Sequence, residues 1–334
     1  MNKIIEQRKQ NWIDFYDLHS GTDKLIVVDY PDPSVPPKPM LWWETMPERE
    51  EWSYRRYLCQ MENLEKLPDN TVPYLTMITG TEIFAEAFGC PVHKPEDNNP
   101  FALPLIRDVS EFHKLRVPKL EDTNLVKLFE SADRLKARAG KDALLSLPDI
   151  QTPMDIAALI WEKSDFYMAM FEEESAVTEL ALMVQELLYS FLDEWFRRYG
   201  KAFIAHYPDY YMPFGVTVSE DEIGIVNEEM YRRFFRKELH DMAERYGAIG
   251  IHSCASAEHQ WENLKCVPNL KLLNLGRDEK ICKASCTAFQ GVTSLYHGVT
   301  FDTGDLPRDG VHFAHHAWAP SLDEAIRLAE AFMA

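Results

Sequence analysis

The stretch GAIGIHSCASAEHQW, residues 247–261, runs from a short apolar segment directly into a histidine and a cysteine. Residues 248–252 have the composition of a buried strand, and alternate residues of an extended chain point to the same side. His252 and Cys254 therefore face one point at the end of this predicted strand. An imidazole nitrogen and a thiol sulfur that converge in this way are typical zinc ligands.

Seven more short apolar segments resemble this strand, and long segments with helical periodicity separate many of them. In residues 175–200, for example, apolar side chains return every three or four positions until Gly200. Eight strands that alternate with helices predict an α/β fold, a (β/α)8 TIM barrel. An open doubly wound sheet is the alternative, but it needs a glycine-rich phosphate loop that this chain lacks. The predicted strands are residues 40–43, 73–78, 143–147, 202–206, 248–252, 270–275, 293–297 and 311–314.

Composition narrows the class of protein. The 334 residues are 46% hydrophobic, which suits one barrel domain over residues 1–334, with residues 1–39 as an irregular or helical lead-in and elaborated early loops. A net charge of −19 argues against nucleic-acid partners. We find neither a run of about 18 apolar residues nor a signal peptide, so we expect no membrane association and a cytoplasmic location. Six irregularly spaced cysteines do not suggest a disulfide framework.

Polar residues cluster where the predicted strands end, which in a barrel is the mouth of the active site. Trp42 and Trp43 end the first strand, where they would form a wall of the pocket. Glu220 and Glu222 belong to the acidic run 219–222, which has the composition of a solvated loop or of a helix start with Ser219 as cap and would lie close to the mouth. Either carboxylate would supply a fourth metal ligand or orient a ligand imidazole. The other strand-end residues are His206, Asp209, His252, Cys254, Asn274, Tyr296, His297, His315 and His316.

Three long segments resemble the uroporphyrinogen decarboxylase superfamily. They are PYLTMITGTEIFAEAFGCPV, PDIQTPMDIAALIWEKSDFYMAMFEEESAVTELA and VTVSEDEIGIVNEEMYRRFFRKELHDMAERYGAIGIHSC. The superfamily contains cofactor-free tetrapyrrole decarboxylases and methyltransferases that act on methyl-corrinoids, all on (β/α)8 barrels. The resemblance therefore implies the same barrel and one of these activities.

The methyltransferase branch has a zinc signature of His-x-Cys after one strand and a distant cysteine in Cys-Gly-x-x-Pro. His252-Ser253-Cys254 matches the first part, whereas residues 316–320 read His-Ala-Trp-Ala-Pro, with His316 in the place of the cysteine. Histidine is also an ordinary zinc ligand. The resemblance thus implies a zinc site of His252, Cys254 and His316 with one open position.

The decarboxylase branch is the less similar of the two. Its first-strand loop carries two arginines in Phe-Met-Arg-Gln-Ala-Gly-Arg, where this chain reads LWWETMPERE, and its catalytic aspartate falls near Gly80. A site without these groups would lose most of the stabilisation of developing charge.

We therefore predict zinc-assisted methyl transfer between a small-molecule substrate and a corrinoid supplied by a small carrier protein. A decarboxylase or lyase acting on a tetrapyrrole or a smaller carboxylic acid is the first alternative, and a non-catalytic binding protein is the second. The predicted roles are catalytic for Glu220, Glu222 and Tyr296, cofactor-binding for Trp42, Trp43, His206 and Asn274, and metal-binding for His252, Cys254 and His316.

Overall fold

A parallel sheet holds the strand ends that the sequence singles out. A computed structural model describes residues 2–276, 278–298 and 310–333. The strands of the described residues are β1 Lys24–Asp29, β2 Tyr74–Leu75, β3 Val92–His93, β4 Phe101–Ala102, β5 Leu144–Leu145, β6 Phe203–Ile204, β7 Tyr211–Met212, β8 Val216–Ser219, β9 Ile249–Ser253, β10 Leu270–Leu275, β11 Ser294–His297 and β12 Phe313–Trp318.

Helices cover the sheet and occupy most connections between its strands. Short 3-10 turns such as Trp43–Thr45 and one π-helical segment, Tyr231–Phe235, supplement them. The α-helices are α1 Lys3–Phe15, α2 Met46–Glu62, α3 Ile83–Ala87, α4 Val126–Ala139, α5 Pro153–Ile160, α6 Lys163–Glu172, α7 Glu174–Tyr199, α8 Glu228–Met230, α9 Arg236–Tyr246, α10 Trp261–Leu264, α11 Glu279–Ala288 and α12 Leu322–Met333.

Six strands pair in parallel in the order β1-β12-β11-β10-β9-β8. A second parallel pair, β2 with β5, is linked to the rest by the single bridges Ser146↔Ile204 and Gln151↔Ser219. One hydrophobic cluster extends through the interior from Trp12 on α1 to Ala314 on β12. The predicted α/β class with a central parallel sheet is confirmed.

One of the predicted barrel strands is wrong. Residues 40–43 form no strand, because the hydroxyl of Thr45 donates to the carbonyls of Met40 and Trp42 and turns the chain into α2. The first described strand is instead β1, whose residues 25–28 are all buried, inside the predicted lead-in. The other seven predictions overlap observed strands, and β10 matches in both bounds. Residues 202–206 contain β6, which the parallel bridge Ser146↔Ile204 joins to the end of β5 and which also pairs antiparallel with β7, whereas β8, the strand beside β9, is not predicted.

Helix α7 is the longest of the described helices. It spans 26 residues, and among the described helices it alone is long and apolar enough to cross a membrane by length and composition. Nine of its side chains, including Trp195, are buried against the core. A core helix of a soluble protein passes the same test, so this is weak evidence for a membrane span.

Two side chains and one backbone hydrogen bond, from the Asn70 N–H to the Ile26 carbonyl at 2.7 Å, join β1 to the segment before β2. The Asn70 amide accepts from the Ile26 N–H, and the Asp69 carboxylate accepts from the Val28 N–H, both at 3.1 Å. Arg8 on α1 lies 3.1 Å from Asp69 and donates to three carbonyls of residues 64–71. Helix α1 therefore completes this part of the sheet.

Replacing Arg8 tests this role. Arg8 and Asp69 are both buried, so Arg8→Leu leaves a buried carboxylate without its cation and three carbonyls without a donor. We expect the free energy of unfolding to fall by about 3 kcal/mol in urea denaturation. Lys9→Leu is the matched control, because Lys9 makes only a surface pair with Glu6 and should change stability by less than about 0.5 kcal/mol. Equal stability of the two variants would contradict the assignment.

Candidate active site

Side chains on neighbouring parallel strands meet at the carboxyl end of the sheet. His252 on β9 lies opposite Asn274 on β10, and the two side chains are joined by a hydrogen bond of 2.6 Å between Nδ1 and Oδ1. The amide Nδ2 of Asn274 donates to the carbonyl of Tyr296 on β11, which fixes the orientation of the amide. Because Oδ1 only accepts, Nδ1 of His252 carries the proton and Nε2 keeps its lone pair.

Burial keeps the His252 ring uncharged. It lowers the pKa of His252, although Asn274, Asp221 and Asp149 act in the opposite direction. The ring of Tyr207 packs edge-on against the imidazole with centroids 4.7 Å apart. His252 is therefore a fixed, neutral imidazole whose Nε2 can accept a proton or bind an electrophile.

The thiol of Cys254 is held by a carboxylate from the loop after β8. The Cys254 N–H donates to Oδ1 of Asp221 at 2.7 Å, and the sulfur lies 2.9 Å from Oδ2 of the same group. Asp221 is itself anchored, because its own N–H donates to Asp155 at 2.8 Å. In this geometry the thiol is protonated and donates to the carboxylate.

His206 and Asp149 form a second pair beside these residues. Nε2 of His206 lies 3.0 Å from the Ser219 hydroxyl and 3.3 Å from Oδ1 of Asp149. Burial lowers the pKa of His206 to about 4 and raises the pKa of Asp149 to about 7. His252 lowers the pKa of Asp149, and Asp221 raises it. Near neutral pH the pair thus combines an uncharged imidazole with a carboxyl group that is close to half-ionised.

A network centred on Arg56 lies on the opposite side of the mouth. Its Nη2 donates to Asp29 at 3.2 Å and to Asp209 at 3.1 Å, while Nη1 contacts the Tyr74 hydroxyl. Burial alone would lower the pKa of Arg56, but Tyr74 and the two carboxylates raise it. His316 donates from Nε2 to Asp29 at 2.9 Å. Two carboxylates therefore surround one permanent cation.

The sequence did not lead us to Asp29, Arg56, Tyr74 or Asp149. Asp29 ends a strand that we had assigned to the lead-in, and Arg56 lies in the middle of α2, where an arginine is usually solvated. An acidic residue that closes the apolar run LIVV was the available signal for Asp29.

The structure does not assemble the predicted zinc ligands. His252 is on β9 and Cys254 follows directly after that strand, but His316 is on β12, with β10 and β11 between β9 and β12, and its Nε2 bonds to Asp29. Among the described residues, no three His, Cys, Asp or Glu side chains are grouped to hold a metal ion. The donor set present therefore does not fit a three-ligand zinc site.

Glu220 and Glu222 do not extend into the mouth as predicted. Ser219 on β8 faces His206, so the next residue, Glu220, points to the opposite face. It is fully buried there and accepts from the Thr152 hydroxyl at 2.5 Å. Glu222 is paired with Lys163 at 2.7 Å and with the Tyr167 hydroxyl. Both carboxyl groups thus belong to the contacts between the sheet and the helices.

The structure also locates the other predicted site residues. Asn274 and His206 line the mouth, as described above. Tyr296 is fully buried, and its hydroxyl donates to the Asp209 carbonyl at 3.3 Å, so it supports the site from below. Trp43 begins the 3-10 turn before α2, and its indole N–H donates to Glu86 at 2.5 Å.

Comparison with known proteins identifies the family. The sequence profile described as uroporphyrinogen decarboxylase (URO-D) matches residues 71–293, about two thirds of the chain. The chain belongs to the URO-D family. The matched region contains His252, Cys254, His206 and Asp149, whereas Asp29 and His316 lie outside it. No curated protein matches the sequence.

A solved structure supports the same fold for this URO-D protein. It is a methyltransferase from Methanosarcina mazei, with a TM-score of 0.67 and 14% sequence identity. The similarity covers 98% of this chain and 99% of that chain. It therefore supports the URO-D-type TIM barrel over nearly the whole length, although the described strands do not form one closed ladder.

The pKa of Asp149 gives a testable pH dependence. Its pKa is raised in the folded protein, so its contribution to stability is fully present below about pH 4 and is lost as the pH rises to about 7. Asp149→Asn stays neutral throughout. We expect its stability relative to the parent to improve by roughly 3 to 4 kcal/mol between pH 4 and pH 7.5 in urea unfolding. A constant difference across this range would contradict the raised pKa.

Proposed function

We propose that this URO-D protein is a methyltransferase that acts on a small molecule at the mouth of the barrel. The geometry of His252 carries the proposal: Asn274 fixes its tautomer and Nε2 is left as a neutral acceptor beside the Cys254 thiol. The fold that it shares with a methyltransferase over nearly both chains supports the same reaction class.

His252 would accept the proton that the reaction releases. When a substrate thiol or hydroxyl attacks a methyl group, the S–CH3 or O–CH3 bond forms, the bond from methyl to its donor breaks, and the S–H or O–H proton must leave. Nε2 of the neutral His252 ring is the acceptor for that proton. Asn274 would stabilise the resulting imidazolium through its carbonyl oxygen.

The methyl donor in this proposal is a methyl-corrinoid carried by a separate small protein. This part rests on the resemblance to the methyltransferase branch. Zinc remains a prediction from the sequence. Because Nε2 of His316 is hydrogen-bonded to Asp29, the proposed proton transfer to His252 does not involve a metal.

A carboxy-lyase is the second candidate, and one observation favours it. Arg49 on α2 is buried near the end of β2, where its Nη2 contacts the carbonyl of Ile78 and its Nε has no partner among the described residues. A substrate carboxylate would pair with such a guanidinium.

Substitution of His252 tests the proposed methyl transfer. Free methylcobalamin replaces the carrier-bound donor, a panel of small thiols serves as acceptors, and the cobalamin absorbance reports demethylation. We expect His252→Ala to slow the reaction about 100-fold, because the proton acceptor is removed. His113→Ala, an exposed histidine on a distant 3-10 helix, is the control.

Metal analysis of the same proteins tests the zinc prediction. Stoichiometric zinc that is lost in both Cys254→Ser and His316→Ala would support the three-ligand site and contradict the arrangement described above.

Methyl transfer that is equal in the parent and His252→Ala would contradict the proposed role of His252.

A further inference from the structure

Buried polar atoms without a hydrogen-bond partner gather near the ends of β2 and β5. The Asp149 N–H donates to the Thr79 hydroxyl at 2.9 Å, which brings the two strand ends together. Buried polar atoms are nearly always paired in folded proteins, so a group of unpaired ones indicates a site for a ligand. In this region the unpaired atoms among the described residues are Nε1 of Trp42, Nε of Arg49, Oε2 of Glu82, Oδ1 of Asp149, Oε1 of Gln151 and Nδ1 of His206.

Glu82 is the most deeply buried carboxyl group of this set. The residue is 3% exposed, and its Oε2 lies over Gly80, where a Cβ atom would meet it at 2.1 Å. Burial raises the pKa of Glu82 to about 7, and the neighbouring Glu86 and Asp149 carboxyls contribute to the increase. Oε2 of Glu82 is therefore a buried carboxylate oxygen that accepts no hydrogen bond from the described residues.

Asp149 faces the same region from the other strand end. Nε2 of His206 lies 3.3 Å from Oδ1 of Asp149, but the hydrogen bond of that nitrogen goes to the Ser219 hydroxyl. Glu82 and Asp149, which we call the acceptor pair, both lie against residues 79–80: the Thr79 hydroxyl accepts from the Asp149 N–H, and Oε2 of Glu82 lies over Gly80.

The acceptor pair has too little positive charge around it. The cation that acts on Glu82 is Arg49, and its Nη atoms contact the carbonyls of Ile78 and Trp42 rather than the carboxylate. Above about pH 7, where both carboxyl groups are ionised, two carboxylates against one guanidinium leave an excess of one negative charge in a site of low dielectric.

We propose that the acceptor pair binds the alkylammonium group of a small primary amine, and this rests on the proposed function in that the same small molecule carries the thiol or hydroxyl that accepts the methyl group. An ammonium group provides three N–H donors and one positive charge. It would satisfy Oε2 of Glu82 and Oδ1 of Asp149 together and neutralise the excess charge. An alcohol has a single donor, and a carboxylate would be repelled by both residues.

Methylammonium binding tests the proposal directly. The full chain is titrated with methylammonium chloride at pH 8, where both carboxyl groups are ionised, and the change in melting temperature is compared with potassium chloride and sodium acetate at equal ionic strength. We expect a saturable increase with methylammonium alone. Glu82→Gln and Asp149→Asn should each weaken the apparent affinity at least about tenfold, since each removes one charged acceptor.

Glu238→Gln is the matched control. Glu238 is also buried with an unpaired oxygen, but it lies on α9 behind β8, so methylammonium affinity should be unchanged. Both test variants are isosteric, and circular dichroism is used to check that they fold. A response to acetate, an equal response to potassium, or parental affinity in both variants would overturn the proposal.

The outcome for the acceptor pair is distinguishable from that for methyl transfer. Saturable methylammonium binding without demethylation of methylcobalamin would support the acceptor pair and reject the proposed function. Methyl transfer to thiols without methylammonium binding would support the function and reject the amine site.

Discussion

The site depends on the parallel pairing of β1 with β12. Six residue pairs, from Lys24↔Phe313 to Asp29↔Trp318, set these strands in register, and the register brings Asp29 next to the ring of His316. Asp29 then also accepts from Arg56, so that one side of the mouth becomes a closed network of charges. This pairing gives His316 a carboxylate partner, whereas His252, three strands away, is bonded to an amide and keeps a free nitrogen.

The pattern of apolar residues in short segments of the sequence predicted most of the strands. The LKLLNL segment, which is apolar except for Lys271 and Asn274, matches β10, and the predicted strand 248–252 matches β9 within one residue at each end. The alternation of side chains along a strand, applied from Ser219, would have turned Glu220 toward the helices. Contacts between distant segments had no such signal. Arg56, for example, joins Asp29 to Asp209, and Asp209 lies 153 residues after Arg56 in the chain. The fold was therefore largely predictable, but half of the mouth was not.

Electrostatics divide the mouth into two parts with different chemistry. Around Arg56, the guanidinium and His316 offset the burial of Asp29 and hold the pKa of its carboxyl group well below its usual range. Around Asp149, burial is not offset in this way, so the pKa of Asp149 rises to about 7 and the pKa of His206 falls to about 4. Uncompensated polar groups cost stability and are common where a protein binds its substrate. This second part is where we place the chemistry.

The adjacency of β1 and β12 also bears on how the protein is made. The ladder partner of β1 begins at residue 313, so during synthesis on the ribosome β1 waits until the long segment between the two strands has been made. Its four consecutive apolar residues must be sheltered in the meantime. Helix α1 and the Asp69–Asn70 segment, which contact β1 and are made long before β12, are available to cover it until β12 emerges.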